Sequence, residues 1–203
     1  MKNIAPSVAL VARCALALVG AVAILAALAP ARGRAQGSDA AWEALRDGGK
    51  VVLIRHALAP GMGDPPGFTI DDCATQRNLS GGGRAQATRI GEAFAANGVA
   101  VEQVLTRAWC RCIDTATLAF GAAEVWAPLN SFFRDSATAP AQTEETRAQV
   151  AGWSGQGTLV LVTHQVNMTE LTGIFPDSGE AIVLTPAPNS QRGFMVAGGV
   201  VIP

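Results

Sequence analysis

Apolar and polar positions follow two different periods along the chain from about position 50 onward. Short continuous apolar runs are typical of strands that are covered on both faces. Such runs occur at "KVVLIR", "VEQVLT", "EVWAPL" and "TLVLVT". Segments in which apolar residues recur every three or four positions lie between them and predict helices. These segments are "LSGGGRAQATRIGEAFAANGV", "CRCIDTATLAFG", "AQTEETRAQVAGW" and "VNMTELTGIF". Two further strands are predicted at "EAIVL" and "GFMVAGGVVIP".

Local signals delimit several of these elements. Ser80 is a predicted N-cap for the first of the helices, and Asn97 and Gly98 form its stop signal. Gly121 ends the next helix in the same way. The alternation of strands and helices predicts an α/β fold, a three-layer α/β/α sandwich with a mostly parallel central sheet.

The first 35 residues have the pattern of an export signal. A basic start without acidic residues precedes an apolar segment at residues 14–29, and Gly33 and Ala35 fit the small positions before a signal peptidase cut. We therefore expect a signal peptide over residues 1–35 and a secreted, periplasmic domain over residues 36–203 without a membrane span. An uncleaved N-terminal anchor is the alternative, and it would leave the same domain outside the cytoplasm.

Charge and composition restrict the class of partner. The chain has 203 residues, a formal net charge of -1, 15 Lys and Arg residues, and no cluster of basic residues. Nucleic acid and anionic membranes are therefore poorly supported as partners. The low charge and the many Ala and Gly residues favour a compact, enzyme-like domain over a disordered or fibrous chain.

Three cysteines lie beyond the predicted signal, namely Cys73, Cys110 and Cys112. Export to an oxidising compartment favours one disulfide. A bridge between Cys110 and Cys112 would be strained, so we expect Cys73 to pair with one of the two and to leave one free thiol. A zinc site is a weaker alternative, because neither histidine lies at ligand spacing from "CRC".

The chain has two histidines, and each directly follows a predicted buried strand. His56 follows "KVVLIR" and His164 follows "TLVLVT". Ligands bind at the carboxyl ends of the strands in α/β sheets. Arg55 precedes His56, and Arg111 lies in the first turn of the helix after the second strand. These four side chains are therefore expected to meet at one rim, where a phosphate dianion would fit them best.

Four segments in a fixed order carry a resemblance: "VVLIRHA", "RNLSGGGRAQATRIGEAF", "VLTRAWCRCIDTA" and "LVLVTHQVN". Together they resemble the histidine phosphatase superfamily, the phosphoglycerate-mutase-like group, branch 1. In the first segment Ala57 replaces the usual Gly. In the second segment the residues in register with the family pattern are Leu79, Ser80, Gly83 and Gln86.

The third and fourth segments assign the remaining family positions. Counting back from Thr115 and Ala116 places the family's second arginine on Arg111, not on Arg107. The fourth segment carries His164. The resemblance runs from about position 50 to the last strand, so it covers nearly all of the predicted mature chain.

The resemblance implies a specific chemistry. His56 would attack the phosphorus and form a transient phosphohistidine, which water then hydrolyses. Arg55, Arg111 and His164 would hold the three equatorial oxygens. This fits the physics of phosphoryl transfer, in which positioning and electrostatic stabilisation lower most of the barrier. The implied activity is that of a phosphatase that needs neither a metal nor another cofactor and acts on a small phosphorylated substrate.

The proton donor departs from the family pattern. Many members carry a Glu after the third strand, and Ser131 occupies that register here. The candidate replacements are the carboxylates Asp135, Glu180, Asp71 and Asp72. A weak or displaced acid favours substrates with good leaving groups, and it favours a phosphatase over a phosphomutase.

Two alternative functions remain open on the sequence. A phosphate- or phosphosugar-binding module without turnover would also retain the cationic pocket. A cell-envelope hydrolase of sugar phosphates or phosphoanhydrides would use the same residues as a general phosphatase. In each case the polar loop at residues 57–78 is expected to roof the site, braced by a disulfide from Cys73 to the helix of Arg111.

Overall fold

The structure is a computed structural model that describes residues 32–202. Its helices are α1 (Arg32–Arg46), α2 (Gly81–Ala96), α3 (Cys110–Phe120), α4 (Ala139–Gly152) and α5 (Gln165–Thr172). Its strands are β1 (Val51–Arg55), β2 (Val101–Thr106), β3 (Glu124–Val125), β4 (Thr158–Thr163), β5 (Ala181–Pro186) and β6 (Phe194–Val200). Short 3-10 turns lie at Cys73–Thr75, Ala127–Leu129 and Ser136–Thr138.

The six strands form one mixed sheet in the order β3-β2-β4-β1-β5-β6. Strands β3, β2, β4 and β1 are parallel, whereas β5 runs antiparallel to β1 and β6 runs antiparallel to β5. Strands β1 and β4 lie at the centre, which explains why both are continuous apolar runs without alternation.

Helices cover both faces of the sheet. Successive strand side chains point to opposite faces. Val52 and Ile54 of β1 accordingly pack in one core with residues of α1, α2 and α3, and Val51 and Leu53 pack in a second core with residues of α4 and α5. The three-layer α/β/α sandwich with a mostly parallel sheet is therefore confirmed.

The ends of the helices follow the local signals in the sequence. The Ser80 hydroxyl accepts a hydrogen bond from the Gly83 N–H at 3.0 Å and caps α2, which ends at Asn97. Gly98 has a φ of 69°, a left-handed conformation that glycine adopts without strain. Helix α3 ends at Gly121, as the sequence predicts.

Two elements differ from the sequence-based expectation. The predicted third strand shrinks to the two residues of β3, and the 3-10 turn Ala127–Leu129 follows with Pro128 in it, which cannot donate a ladder hydrogen bond. Helix α1 was not predicted. It buries Ala41 and Leu45, which lie four positions apart on one helix face.

The predicted signal peptide lies almost entirely outside the described residues. Residues 1–31 are not described, and α1 begins at Arg32, a few residues before the predicted cut near Ala35. Within residues 32–202 there is no helix with the length and apolar character needed to cross a membrane.

Candidate active site

The two histidines meet at one rim of the sheet because β1 and β4 are neighbouring parallel strands in register. Arg55 lies opposite Thr163, so His56 and His164 each stand one position beyond the end of a strand. The His56 N–H donates to the Thr163 carbonyl at 3.0 Å. The imidazole centroids are 4.8 Å apart, with the ring planes at 81°.

The protonation state of His56 follows from a backbone contact. Its Nδ1 lies 2.7 Å from the Ala57 carbonyl oxygen. A carbonyl can only accept, so Nδ1 carries the proton and Nε2 keeps its lone pair. Burial lowers the pKa of His56 to about 3, and the charges of Arg111, Arg77 and Arg55 act in the same direction while the Ala57 hydrogen bond opposes them. His56 is therefore a neutral imidazole at physiological pH.

Arg111 connects the second histidine to the cavity. Its Nη2 donates to Nε2 of His164 at 2.9 Å, and both side chains are buried. His164 therefore carries its proton on Nδ1, which lies 3.7 Å from the Sγ of Cys112. Arg111 projects from the first turn of α3, as the Thr115 and Ala116 register predicts.

Asp64 forms a buried ion pair with Arg111, and sequence reasoning missed it. Nη1 of Arg111 lies 2.6 Å from Oδ1 of Asp64, and Nη2 lies 3.2 Å from Oδ2. The indole N–H of Trp109 and the backbone N–H of Arg77 donate to the same carboxylate at 3.0 and 3.1 Å. Burial alone would raise the pKa of Asp64, but these donors outweigh it and hold the pKa below its ordinary value.

Two further arginines line the same cavity. Arg55 donates from Nη1 to the Pro176 carbonyl at 2.9 Å, and its buried Nε has no hydrogen-bond partner among the described residues. Arg77 donates from Nε to Gly63 at 2.7 Å and from Nη1 to the Ala59 carbonyl. Burial lowers the pKa of both guanidinium groups from its ordinary value.

Arg107 does not line the cavity. It is fully buried, and its guanidinium carbon lies 3.3 Å from the centroid of the Trp109 ring. Its three guanidinium nitrogens have no hydrogen-bond partner among the described residues, and burial lowers its pKa well below the ordinary value. Arg107 thus supports the back of the Trp109 indole, whereas Arg111 faces the cavity.

The cavity has a volume of about 420 Å³ and an excess of positive charge. Four arginines and two aspartates line it, which gives a formal excess of two positive charges. The arginines are Arg55, Arg77, Arg111 and Arg134, and the aspartates are Asp64 and Asp135. A phosphate dianion would balance this charge.

The candidate proton donors differ in their distance from the cavity. Asp135 lines it, but its Oδ1 accepts from the Ala137 N–H at 3.1 Å. Asp72 caps the Cys73–Thr75 turn, and Glu180 accepts from the Asp177 N–H at 2.7 Å. Asp71, Asp72 and Glu180 do not line the cavity. Ser131 lines the cavity and accepts from the Phe133 N–H at 3.2 Å.

The other motif residues hold the loop that follows His56. The Thr115 hydroxyl accepts from the Ala57 N–H at 3.0 Å and donates to the Arg111 carbonyl at 2.6 Å. Gln86 accepts from the Leu58 N–H at 3.0 Å and donates to Ser178. A side chain at Gly83 would overlap the Leu58 carbonyl. Ala57 does not have a positive φ, so a glycine is not required there.

A disulfide fixes the loop to the helix of Arg111. Cys73 is bonded to Cys110, the first residue of α3, with the Cα atoms 5.7 Å apart. Gln76 adds a second connection, because its side-chain oxygen accepts from the Cys110 N–H at 3.0 Å. The predicted bridge from Cys73 is thus confirmed, and Cys112 is the free cysteine of residues 32–202. Burial raises the pKa of its thiol to about 11.

The side chains of the described residues are not grouped as metal ligands. In the described residues, no three or more His, Cys, Asp or Glu side chains are grouped so that they could hold a metal ion. The zinc site considered for "CRC" is therefore not found in this part of the chain, where Cys110 is bonded to Cys73.

The chain has a phosphoglycerate-mutase-like α/β fold, which it shares with several solved structures. The protein of open reading frame Rv3214 from Mycobacterium tuberculosis aligns with a TM-score of 0.54 and 14% identity, over 75% of this chain and 96% of that one. A protein from Agrobacterium tumefaciens, proposed to be the phosphohistidine phosphatase SixA, aligns with a TM-score of 0.51 and 19% identity, over 75% and 97%.

A third similar structure has a bound ligand. Phosphoserine phosphatase from Entamoeba histolytica, in complex with 3-phosphoglyceric acid, aligns with a TM-score of 0.50 and 13% identity, over 75% of this chain and 96% of that one. No protein-family model matches the sequence, and no curated protein matches it either. The likeness therefore establishes the fold but not the reaction that the site performs.

Proposed function

We propose that this protein is a metal-independent phosphomonoester hydrolase that acts through a phosphohistidine intermediate on His56. The observation that carries the proposal is the protonation state of the His56 imidazole. Its Nδ1 donates a hydrogen bond to the Ala57 carbonyl, and its pKa is lowered to about 3. Nε2 is therefore an unprotonated nucleophile in a cavity that four arginines line.

The reaction would proceed in two steps. Nε2 of His56 attacks the phosphorus, the P–N bond forms, and the bond between phosphorus and the ester oxygen breaks. The departing oxygen takes a proton from the site or from water. Water then attacks the phosphohistidine, the P–N bond breaks, and inorganic phosphate leaves while the proton of the water passes to solvent.

The arginines would supply the electrostatic stabilisation. Arg55 and Arg111 present guanidinium donors to the cavity, and Arg111 also donates to Nε2 of His164. In this scheme Arg55 and Arg111 contact the transferred phosphoryl group, because oriented charges are the main source of rate enhancement in phosphoryl transfer. His164 orients Arg111 by accepting its hydrogen bond at Nε2. One fold relative, the phosphoserine phosphatase, supports phosphomonoesters as the substrate class.

The site offers little help to a poor leaving group. Asp64 is bound to Arg111 and its pKa is lowered, so its carboxylate is not suited to hold a proton near neutrality. The Oδ1 of Asp135 already accepts a hydrogen bond from the Ala137 N–H. We therefore propose that turnover depends strongly on the leaving group. The same observation favours a second candidate, a phosphate-binding module without turnover.

We also propose that the enzyme is exported. The apolar segment at residues 14–29 supports this proposal, and so does the Cys73–Cys110 bridge, since structural disulfides persist in oxidising compartments. Cell fractionation tests it, combined with labelling of free thiols on the denatured, unreduced protein. One free thiol in the mature chain is expected, and three would contradict the proposal.

The test of the catalytic proposal uses para-nitrophenyl phosphate, whose leaving group needs little acid assistance. Protein mixed with this substrate is quenched in alkaline denaturant, because the P–N bond of phosphohistidine hydrolyses in acid, and it is then digested at alkaline pH and analysed by mass spectrometry. A phosphoryl adduct on the peptide of His56, absent in His56→Ala, is the expected result. Phosphate binding without turnover in the wild type would instead establish the binding module.

A further inference from the structure

Large apolar side chains are exposed around the mouth of the cavity. Met62 is 88% exposed, Phe133 is 58% exposed and Phe175 is 71% exposed, and all three line the cavity. They come from three separate segments, the loops after β1, before α4 and after α5. Single exposed apolar residues are common on proteins, but three that converge on one opening indicate a binding surface. We call these three residues the apolar rim.

An aromatic wall continues the apolar rim inward. The ring centroids of His164 and Trp109 are 6.2 Å apart, and those of Trp109 and Phe68 are 6.0 Å apart. Both Trp109 and Phe68 line the cavity. The hydrogen bond from Trp109 to Asp64 and the stacking of Arg107 hold the indole in place. A ligand whose phosphate lies at His56 would therefore extend along apolar surface toward the mouth.

The apolar rim itself offers no partner for a hydroxyl group. Among the lining residues of the cavity, Ser131 has the one hydroxyl and Gln165 the one amide side chain. Ser131 accepts from the Phe133 N–H at 3.2 Å, and Gln165 donates to the Thr169 hydroxyl at 2.8 Å. A buried hydroxyl without a partner is unfavourable, so substrate hydroxyls that lie against the apolar rim would be penalised.

We propose that the substrate is a phosphate monoester of an apolar alcohol, an alkyl or aryl phosphate, whose hydrocarbon group lies on the apolar rim while its phosphate lies at His56. This inference rests on the proposed function and deepens it by naming the leaving group. A fully buried methylene contributes about 0.8 kcal/mol, roughly a fourfold gain in affinity. The open mouth makes a gain of about two- to fourfold per methylene reasonable over the first few carbons.

The test measures binding instead of turnover. Methyl-, butyl- and octylphosphonate are not hydrolysed, and their dissociation constants for the full chain are measured by isothermal titration calorimetry below micelle-forming concentrations. Octylphosphonate is expected to bind at least about tenfold more tightly than methylphosphonate. Phenylphosphonate separates the two sources of the apolar group, because tighter binding of the phenyl than of the butyl compound indicates an aryl ester.

The chain offers a matched control for the apolar rim. Met62→Ala and Phe175→Ala are expected to reduce the ratio of octyl to methyl affinity at least threefold. Met195→Ala removes the same type of side chain as Met62→Ala at a position that is 60% exposed, on β6, and not part of the cavity. It is expected to leave the ratio unchanged. Any binding of octylphosphonate to the N-terminal apolar segment is common to all variants, so it cannot produce this difference.

Three results would overturn the inference. The first is a dissociation constant that does not depend on chain length. The second is equally tight binding of 3,4-dihydroxybutylphosphonate, the hydroxyl-bearing and non-hydrolysed counterpart of the butyl compound. The third is an octyl-to-methyl ratio that is unchanged in the apolar rim variants while their binding to lipid vesicles falls, which would make the rim a membrane contact. The proposed function fails separately, since chain-length-dependent binding without hydrolysis of para-nitrophenyl phosphate would leave this inference standing.

Discussion

Arg107 and Arg111 are four positions apart but have different surroundings. Arg107 precedes α3, and Arg111 lies in its first turn. Arg111 faces the cavity and donates to His164, whereas Arg107 is buried behind Trp109. We expect Arg111→Ala to lower kcat/KM for para-nitrophenyl phosphate by about 10²- to 10³-fold, the cost of removing an oriented donor from a transition state. We expect Arg107→Ala to cost little activity.

The control for this pair is a stability measurement. Arg107→Ala leaves a hole behind the Trp109 indole, so its melting temperature is expected to fall even where kcat/KM is nearly retained. Equal losses of kcat/KM in the two folded variants would show that the family's second arginine is not Arg111.

Asp64 occupies the Arg111 guanidinium group, which would bind phosphate in the proposed function. Asp64→Asn removes the charge that neutralises buried Arg111, and it is expected to lower the free energy of unfolding by about 3 kcal/mol. This is the lower end of the range for a broken buried pair, because the pair borders an open cavity. The same variant is expected to bind inorganic phosphate more tightly, as the calorimetric dissociation constant would report.

A surface ion pair provides the comparison for Asp64. The Arg84–Asp114 pair has the same type of charges at 2.7 Å, but both side chains are substantially exposed. Asp114→Asn is therefore expected to cost less than about 1 kcal/mol and to leave phosphate binding unchanged. If the two variants behaved alike in denaturant and in phosphate titrations, the Asp64 carboxylate would not be part of the anion site.

At the residue scale, the sequence predicted those site residues that are attached to regular elements. Arg55, His56 and His164 end or follow central strands, and Arg111 begins a helix, so topology alone brings them together. Asp64 lies in a long irregular loop, where no periodicity indicates which side chains meet. Its pairing with Arg111 depends on a fold of the loop that only tertiary contacts determine.

At the scale of elements, the loop at residues 57–80 contains little regular structure, and a disulfide links it covalently to α3. The disulfide joins positions 37 residues apart, and closing such a loop stabilises a protein by about 3–4 kcal/mol in the chain-entropy treatment. We expect Cys73→Ser with Cys110→Ser to lower the unfolding free energy by about that amount. We also expect a higher KM, because the loop carries Asp64 and Arg77.

Reductant separates this effect from the cost of the substitutions themselves. Dithiothreitol is expected to lower the melting temperature of the wild type toward that of the double variant and to leave the double variant unchanged. A wild type that is indifferent to reductant under denaturing conditions would contradict a structural bridge. Cys112 is the internal control, since its buried thiol has a pKa of about 11 and should resist alkylation in the native state.

Element prediction succeeded where burial produces a continuous signal. Strands β1 and β4 are buried at nearly every position, and the sequence shows this as two unbroken apolar runs. Strand β3 lies at the edge of the sheet and is exposed, so the pattern of "EVWAPL" exaggerates its length. Helix α1 was missed because its buried Ala41 and Leu45 contribute a weak apolar face in a largely polar segment.

At the scale of the whole molecule, the site makes stability depend on pH. The pKa of His56 is about 3 in the folded protein against 6.5 ordinarily, so the unfolded chain binds more protons between these values. Stability is therefore expected to fall as pH falls from about 6.5 to about 3, by up to about 1.4 kcal/mol per pH unit. Asp64 acts in the same direction at lower pH, because its depressed pKa contributes stability that is lost as its carboxylate is protonated.

Urea unfolding between pH 7 and pH 4 tests this dependence. His56→Gln removes the titrating group, so the decrease in unfolding free energy between these pH values should be clearly smaller in the variant than in the wild type. The decrease that remains in the variant reports the other titrating groups, including the Asp64 carboxylate. An identical pH dependence in both proteins would mean that His56 titrates near its ordinary pKa in the folded state. A fraction of the His56 imidazoles would then be protonated near neutrality, in contrast to the wholly neutral nucleophile of the phosphatase proposal.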